Sequence, residues 1–382
     1  MERWSGMKGF ALYCHHTSRF QYNTGIQRCV RAIARALIDA GEPVAPLVYD
    51  PSSQALRLAG AEACNHLAQW SGPLAHSWAS ELPPPGSWLL VPELLSGPHQ
   101  PRVAFVREWC EQREWRLATV FHDAIPLRWG GAATEHHATY MSGLAECNLV
   151  LATSRAVADD LRRFWQSKAI TPRGHLVVLP LAAEIPGVSR CWPAQGPPPQ
   201  GALKPLKLLQ VGSLEPRKNH KGLLRALAWL ESQMPGALEL ELVGWANNPK
   251  VAAMVQRAIA LGLPVHWHQC ADDAALQQLY AGADLSVYPS LLEGFGLPVL
   301  ESLWLGTPCL CTSVPSLEAA QVSKGCELLA GSDWKELVRC LKRLILQPSL
   351  LSERREELRR MPLQSWAEYV DRMHSILAMT ES

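Results

Sequence analysis

Short apolar runs of strand character recur through this chain, each followed by a stretch of helical periodicity. In the first half they are Gly9–Cys14, Pro43–Tyr49, Trp88–Val91, Arg116–Phe121, Asn148–Thr153 and Leu176–Leu179. In the second half they are Leu206–Val211, Leu238–Val243, Val265–His268, Leu285–Tyr288 and Pro308–Thr312. Strands that alternate with helices pair in parallel through crossovers, which predicts a parallel sheet covered by helices on both faces. The alternation breaks at Cys191–Pro205, where CWPAQGPPPQGALKP is rich in proline and glycine and has no period. The sequence therefore predicts an α/β chain of two Rossmann-like, doubly wound domains, 1–192 and 206–362, joined by a linker at 193–205. A last helix, around Trp366–Leu377, lies beyond Met361-Pro362, and residues 363–382 are expected to pack back on the first domain. A length of 382 residues with 48% apolar content suits two substantial cores. Between Pro51 and Pro98 the pattern is less regular, apart from Trp88–Val91 and a turn at Pro83–Gly86.

Composition removes several classes. A net charge of +1 with both signs well represented excludes a nucleic-acid polycation and an acidic tail. The eleven cysteines are scattered and form no C-x-x-C pair, which predicts buried, reduced thiols rather than a disulfide scaffold. Cys309 and Cys311 alternate and share one face of a strand, but no second pair or histidine spacing completes a metal site. Met1–Lys8 carries mixed charge and the apolar run after it is short, so no secretory leader is expected. No long apolar stretch free of charge and proline predicts a membrane-crossing helix. In Ile26–Ile38 the residues Ile26, Cys29, Val30, Ile33 and Leu37 share one helical face, and Arg28, Arg31 and Arg35 fall opposite. That face reads either as a solvated basic surface or as a stripe facing anions at a membrane or on a phosphate-bearing substrate.

Two stretches carry chemistry. Tyr288–Pro308, YPSLLEGFGLPVLESLWLGTP, follows a strand and holds Glu293 and Glu301 with seven residues between them. Gly294 and Gly296 suit a turn with exposed backbone, and Pro298 suits the start of a helix. Glu293 is thus expected on a loop at a strand's carboxyl end and Glu301 in the first turn of the next helix. Ligands bind along that edge in open α/β sheets, and paired carboxylates there accept hydrogen bonds from diols. The second stretch, Val211–Asn219, turns off a strand at Gly212-Ser213 and sets Arg217-Lys218 just before a helix. A helix N-terminus, a guanidinium fork and an ammonium together make an anion clamp. A phosphate clamp and a diol clamp on one sheet edge describe a nucleotide-sugar site. No G-x-G-x-x-G follows a predicted strand, which sets aside a dinucleotide-dependent oxidoreductase.

The segments VGSLEPRKNHKGLL (Val211–Leu224) and LYAGADLSVYPSLLEGFGLPVLESLWLGTPCL (Leu279–Leu310), with the E-x7-E spacing, resemble the donor domain of family 4 of the retaining glycosyltransferases. NTGIQRCVRAIARAL (Asn23–Leu37) and VFHDAIPLRWG (Val120–Gly130) are similar to a subgroup that builds bacterial surface polysaccharides with mannose, rhamnose or fucose. The resemblance covers most of the chain and is weakest from about Pro51 to Gln112. It implies the GT-B fold, with the two domains facing a central cleft, and a hexose moved from a nucleotide sugar to a saccharide or lipid-linked saccharide. GDP-mannose is the first expected donor. By the same resemblance Arg217 and Lys218 neutralise the donor diphosphate, and Glu293 contacts hydroxyls of the transferred sugar beside the Gly294-Phe295-Gly296 backbone and Leu297. Glu301 holds the ribose, while Gly212, Ser213 and Asn219 complete the donor site. Gly25 lets its loop approach the phosphates, His122 contacts the donor sugar near the reacting carbon, and Asp123 orients that loop.

The leaving diphosphate gains negative charge as the anomeric bond breaks, so fixed cations stabilise the transition state most. With no Asp-x-Asp triplet, the chain is expected to work without a metal or other cofactor. A cytoplasmic location, with contact at the inner membrane surface, is expected from the subgroup and from the arginine face. An epimerase or sugar phosphorylase on the same fold, or a non-catalytic GT-B binding protein, are the alternatives. Val314–Ala320, VPSLEAA, departs from the family pattern, and fifteen tryptophans are many for this length, which bears on acceptor binding.

Overall fold

The structure, a computed structural model, describes residues 9–20, 23–97, 99–131, 133–190, 204–313 and 325–380. Most of the expected linker 193–205 and the segment Val314–Ala320 lie outside the described residues. The chain divides into two compact units, Met1–Ala182 with Gln364–Ser382, and Ala183–Leu363.

The first unit is built on seven strands: β1 (Phe10–Tyr13), β2 (Val44–Asp50), β3 (Ala55–Leu58), β4 (Trp88–Val91), β5 (Arg116–Phe121), β6 (Leu149–Ala152) and β7 (His175–Val178). Their order is β3-β2-β1-β4-β5-β6-β7. All neighbours are parallel except β2 and β3, so the expected all-parallel sheet gains an antiparallel edge. The cause is local. The Asp50 carboxylate accepts from Ser52 N, Ser52 Oγ and Ser53 Oγ, which folds the chain into a hairpin that returns Ala55 opposite Asp50. The helix Ala61–Leu67 follows, so the stretch after Pro51 is more regular than its sequence suggests.

The second unit has β8 (Leu206–Val211), β9 (Leu238–Val243), β10 (Val265–His268), β11 (Leu285–Tyr288), β12 (Cys309–Thr312) and β13 (Cys326–Leu329). The order β10-β9-β8-β11-β12-β13, all parallel, is that of a Rossmann fold, with the chain reversing direction across the sheet between β8 and β11. Leu208, Leu240, Leu285 and Leu310 are fully buried between the helical layers. Each such side chain contributes about 2 kcal/mol of hydrophobic stabilisation. Cys309 and Cys311 point to one face beside Cys326, and all three thiols are buried in the core. Among the described residues no cluster of His, Cys, Asp or Glu is arranged to hold a metal ion, and the described cysteines are free and, apart from Cys270, buried. No helix of the described residues is long and apolar enough to cross a membrane.

The helix Gly25–Asp39 corrects one expectation. Its arginines do not form one solvated basic face, because Thr17, Asn23 and Trp70 close over Arg31. Arg31 is only 1% exposed, donates to Asn23 Oδ1 at 2.8 Å and Thr17 O at 3.3 Å, and lies 4.6 Å from the centre of the Trp70 ring. Arg35 reaches Ser71 O, and Arg28 is half-buried. The helix Trp366–Met379, in the same unit, packs on Gly25–Asp39 and buries Trp366, Tyr369, Val370, Met373 and Leu377. Its start is fixed by Ser365, whose hydroxyl accepts from Glu368 N while Glu368 accepts from Ser365 N.

Candidate functional site

The second unit brings Glu215, Arg217, Lys218 and Glu293 together where β8 and β11 diverge. A crevice at the carboxyl end of a sheet where the chain reverses is where open α/β folds bind ligands. After β8 the backbone turns at Gly212, φ +148, and runs through Ser213 into a short 3-10 turn, Pro216–Lys218. Asn219 follows in the left-handed region, φ +56, and caps the helix His220–Gln233 by accepting from Gly222 N. Its amide nitrogen donates to Ser332 O, so both ends of this side chain serve the fold. A Cβ on Gly222 would lie 2.6 Å from Asn219 Oδ1, so the cap requires that glycine.

After β11 comes the loop that carries Glu293. Its side chain, 6% exposed, meets both cations of the first turn. Glu293 Oε1 accepts from Lys218 Nζ at 2.7 Å, and Oε2 from Arg217 NH1 at 3.1 Å. Lys218 also donates to the Tyr288 hydroxyl at 2.6 Å. Arg217 reaches Glu215 through Nε at 2.8 Å and the Leu292 carbonyl through NH1. Glu215 is itself held by the Ser213 hydroxyl and by Asn247 Nδ2. Two cations and two carboxylates therefore form one network across the β8–β11 crevice.

The electrostatics follow from the burial. Burial pushes the Glu293 carboxyl up, but Lys218 and Arg217 outweigh it and hold the group below the usual carboxylate range. Burial lowers the Lys218 ammonium more than Glu293 raises it. Burial and then Glu293 raise the Tyr288 hydroxyl, which stays neutral. The Glu215 carboxyl is lowered, with Arg217 and the Ser213 hydroxyl overcoming the effect of burial.

The remaining site residues of the second unit spread along the next helix. Gly294, Phe295 and Leu297 are buried in the turn, and Gly296, φ +81, caps the helix Leu297–Trp304. Glu301 is 1% exposed and stands at the fifth position of that helix, in its second turn rather than its first, because the helix begins at Leu297. The structure thus brings Arg217, Lys218 and Glu293 together. Glu215 and Tyr288 belong to the same network and escaped the sequence reading. Glu215 stood within the quoted VGSLEPRKN stretch, two residues before Arg217, where its carboxylate had an obvious partner.

In the first unit, His122 follows β5 and is 7% exposed. Its Nε2 lies 2.8 Å from Pro92 O. A carbonyl only accepts, so Nε2 carries the proton and Nδ1 is the acceptor of the neutral ring. Burial lowers its pKa, which keeps the ring neutral. Asp123 Oδ1 accepts from Ile125 N, and its carbonyl meets His137 Nε2. Gly25 opens its helix at an exposed position where an added Cβ meets nothing within 4 Å among the described residues, so the fold does not demand a glycine there.

The β1–β4 divergence of this unit holds another buried carboxylate. Glu93, 1% exposed, accepts from His16 N at 2.7 Å and Thr17 N at 2.6 Å. Arg31 takes the Thr17 carbonyl from the other side, so this one loop residue is held through both its N–H and its carbonyl. Burial pushes the Glu93 carboxyl up to about 7, against the pull of the Thr17 hydroxyl, the two N–H groups and Arg31. An acid whose folded pKa is raised binds more protons folded than unfolded, so its contribution to stability falls as pH rises from about 4.5 through about 7. The loss is at most about 3 kcal/mol. Unfolding in denaturant at pH 5 and pH 8 should show the wild type losing stability with pH, and Glu93→Gln losing less. Equal pH slopes for the two would refute this assignment.

Comparison with known proteins places this geometry. Residues 198–361 match the family described as glycosyl transferases group 1. The chain is 40% identical over 112 residues to the O-antigen chain mannosyltransferase B of Escherichia coli, covering 28% of this chain and 29% of that one. It is 26% identical over 318 residues to a serotype-specific mannosyltransferase WbdA of Escherichia coli, covering 76% of this chain and 37% of that one. The chain thus spans about a third of the length of these two relatives. The structure of Anabaena HepE in complex with UDP-glucose superposes over 98% of this chain and all of that one, with a TM-score of 0.66 at 15% identity. That likeness assigns the GT-B fold. Through its second unit the chain is similar to the group 1 glycosyltransferases, and it is similar to mannosyltransferases of surface polysaccharides.

Proposed function

We propose that the chain is a retaining hexosyltransferase that takes mannose from GDP-mannose and needs no metal. The observation that supports it most is the convergence of Arg217 and Lys218 on Glu293 at the β8–β11 divergence of a unit that matches the group 1 family. The leaving nucleoside diphosphate gains charge as the anomeric bond breaks. Cations fixed in a partly buried site need no reorganisation at that moment, which is the condition for strong transition-state stabilisation. Arg217 and Lys218 fill this role in the proposal, with Glu293 on the hydroxyls of the transferred sugar and Glu301 on the ribose. Gly212, Ser213, the Gly294–Leu297 turn and the Asn219 cap shape the donor site.

In the first unit we assign substrate contacts to Gly25 and His122. A neutral His122 with its proton on Nε2 can accept a hydroxyl at Nδ1 but cannot act as a cation. Mannose is favoured by the two mannosyltransferase relatives, and a nucleotide-sugar donor also by HepE, whose structure holds UDP-glucose. A saccharide or lipid-linked acceptor at the cytoplasmic membrane face rests on the subgroup resemblance alone. The burial of Arg31 removes the centre of the basic stripe on Gly25–Asp39 that spoke for it.

A thermal-shift screen with GDP-, UDP-, TDP- and ADP-sugars tests the donor. A specific ligand at a hundred times its Kd adds about 2.7 kcal/mol of stability. GDP-mannose is expected to raise the midpoint most, and product from the matching acceptor should keep the anomeric configuration with chelator present. A screen in which no nucleotide sugar shifts the midpoint would overturn the assignment.

A further inference from the structure

The cations assigned to the donor diphosphate are already engaged by the chain's own carboxylates, and the two carboxylates are held differently. Glu215 sits in the turn between Ser213 and the helix His220–Gln233 and is anchored on several sides. The Ser213 hydroxyl and Asn247 Nδ2 donate to its side chain. Lys218 N donates to its carbonyl at 3.1 Å, and His220 Nδ1 lies 3.4 Å from the same oxygen. Glu293 sits in an irregular loop between β11 and Gly296, where its carboxylate oxygens meet Lys218 and Arg217 and the Ser290 hydroxyl also bonds to it.

A diphosphate ester carries about two negative charges. It cannot take Lys218 and Arg217 while Glu293 keeps its charge between them, because like charges at such spacing in a partly buried site repel strongly. Glu215 approaches Arg217 from Nε and leaves the NH1 side to Glu293. The incoming anion therefore competes with Glu293 and not with Glu215.

We propose that Glu293 is a resident anion of the diphosphate subsite. The donor's phosphates take Lys218 and Arg217 from it, the released carboxylate turns to accept the hydroxyls of the transferred sugar, and Glu215 keeps Arg217 in place throughout. This rests on the nucleotide-sugar reading of the site and adds an order of events to it. Phosphate binding and sugar recognition become one step, since the sugar's acceptor group is free only once the diphosphate has arrived. Small anions that cannot bridge both cations compete poorly, because they meet a network of zero net formal charge.

The two carboxylates then have opposite effects on a ligand that has phosphates and no sugar. Titration calorimetry of the full chain with GDP, UDP and inorganic pyrophosphate reads this directly. Glu293→Gln is expected to bind the preferred nucleoside diphosphate and pyrophosphate on the order of tenfold more tightly than wild type, since the internal competitor is gone. Its midpoint without ligand falls, its ligand-induced shift grows, and its sugar transfer drops. Glu215→Gln is expected to bind the same ligands several-fold more weakly, because Arg217 loses its anchor. If Glu293→Gln does not fold, Glu293→Asp, whose shorter side chain draws back from the cations, should show a smaller gain of the same sign. Weaker or unchanged binding in the Glu293 variants, with wild type binding normally, overturns the exchange and leaves the nucleotide-sugar assignment standing. Wild type that binds none of the three ligands overturns that assignment, and the exchange with it.

Discussion

Lys218→Ala is expected to lower kcat for sugar transfer by about a hundred- to a thousandfold, the scale seen when one preorganised donor is removed from developing negative charge. It is also expected to lower the stability of the second unit. Sequence alone places this lysine in an anion clamp just before a helix. In the structure the ammonium is buried, bonded to Glu293 at 2.7 Å and to the Tyr288 hydroxyl at 2.6 Å. Alanine leaves Glu293, itself 6% exposed, with Arg217 as its remaining cation and with a hydroxyl that has lost its donor. Breaking one partner of a buried pair costs about 3–5 kcal/mol, and the surviving Arg217 contact sets the expectation near the lower end. For a unit of this size that is a fall of roughly 6–12 °C in the midpoint. Turnover at saturating donor and a thermal melt together check the two halves. Near-wild-type turnover would remove Lys218 from the chemistry, and an unchanged midpoint would mean that Glu293 finds another partner in solution.

The same residue shows how far the sequence can be read. The adjacency of Arg217 and Lys218, the glycine turn before them and the glutamate loop after a strand are local patterns, and local patterns report local structure. They place the two stretches on one sheet edge because parallel strands put every strand's carboxyl end on the same side. That Glu293 would close on Lys218 rather than wait for a ligand is a contact across 75 residues, and no period or spacing encodes it. Arg31 is the clearest case of failure. Its spacing from Arg28 and Arg35 reads as a polar stripe, yet Thr17, Asn23 and Trp70 cover it, and these come from loops whose path the helix pattern does not contain. Short edge strands fall in the same class. Ala55–Leu58 and Cys326–Leu329 become strands through pairing with β2 and β12, contacts that no local pattern in ALRL or CELL announces. Glu215 differs, since its partner lies two residues away and the charge pattern alone would have suggested the pair.

Gly244→Ala should be the most damaging single-methyl change near the site. Gly244 follows β9 with φ +155, a backbone region that side chains rarely enter. An added Cβ would lie 2.0 Å from Gly212 O, 2.5 Å from Gly212 C and 3.1 Å from Ser213 N. All three are backbone atoms, so no rotamer change relieves the clash. The ends of β8, β9 and β10 are stitched together at this point. Gly212 N donates to Val243 O at 2.8 Å, Gly244 N to His268 O at 2.9 Å, and Leu214 N to Trp245 O at 2.8 Å. Any shift that accommodates the methyl must move Gly212 and Ser213, and with them the turn that carries Glu215, Arg217 and Lys218. Backbone strain and lost ladder bonds together are expected to cost about 3–5 kcal/mol. Donor affinity should fall with stability, because the displaced segment holds both cations. Gly236→Ala separates this from the general cost of a positive φ. Gly236 has φ +72 and open space around its would-be Cβ, and its substitution should cost about 1 kcal/mol without touching donor binding. Thermal melts of the two variants, with and without GDP-mannose, read both quantities. A Gly244→Ala protein no less stable than Gly236→Ala would show that the strand ends can part without strain, and that the cations at the β8 edge do not depend on the close approach of Gly212 and Gly244.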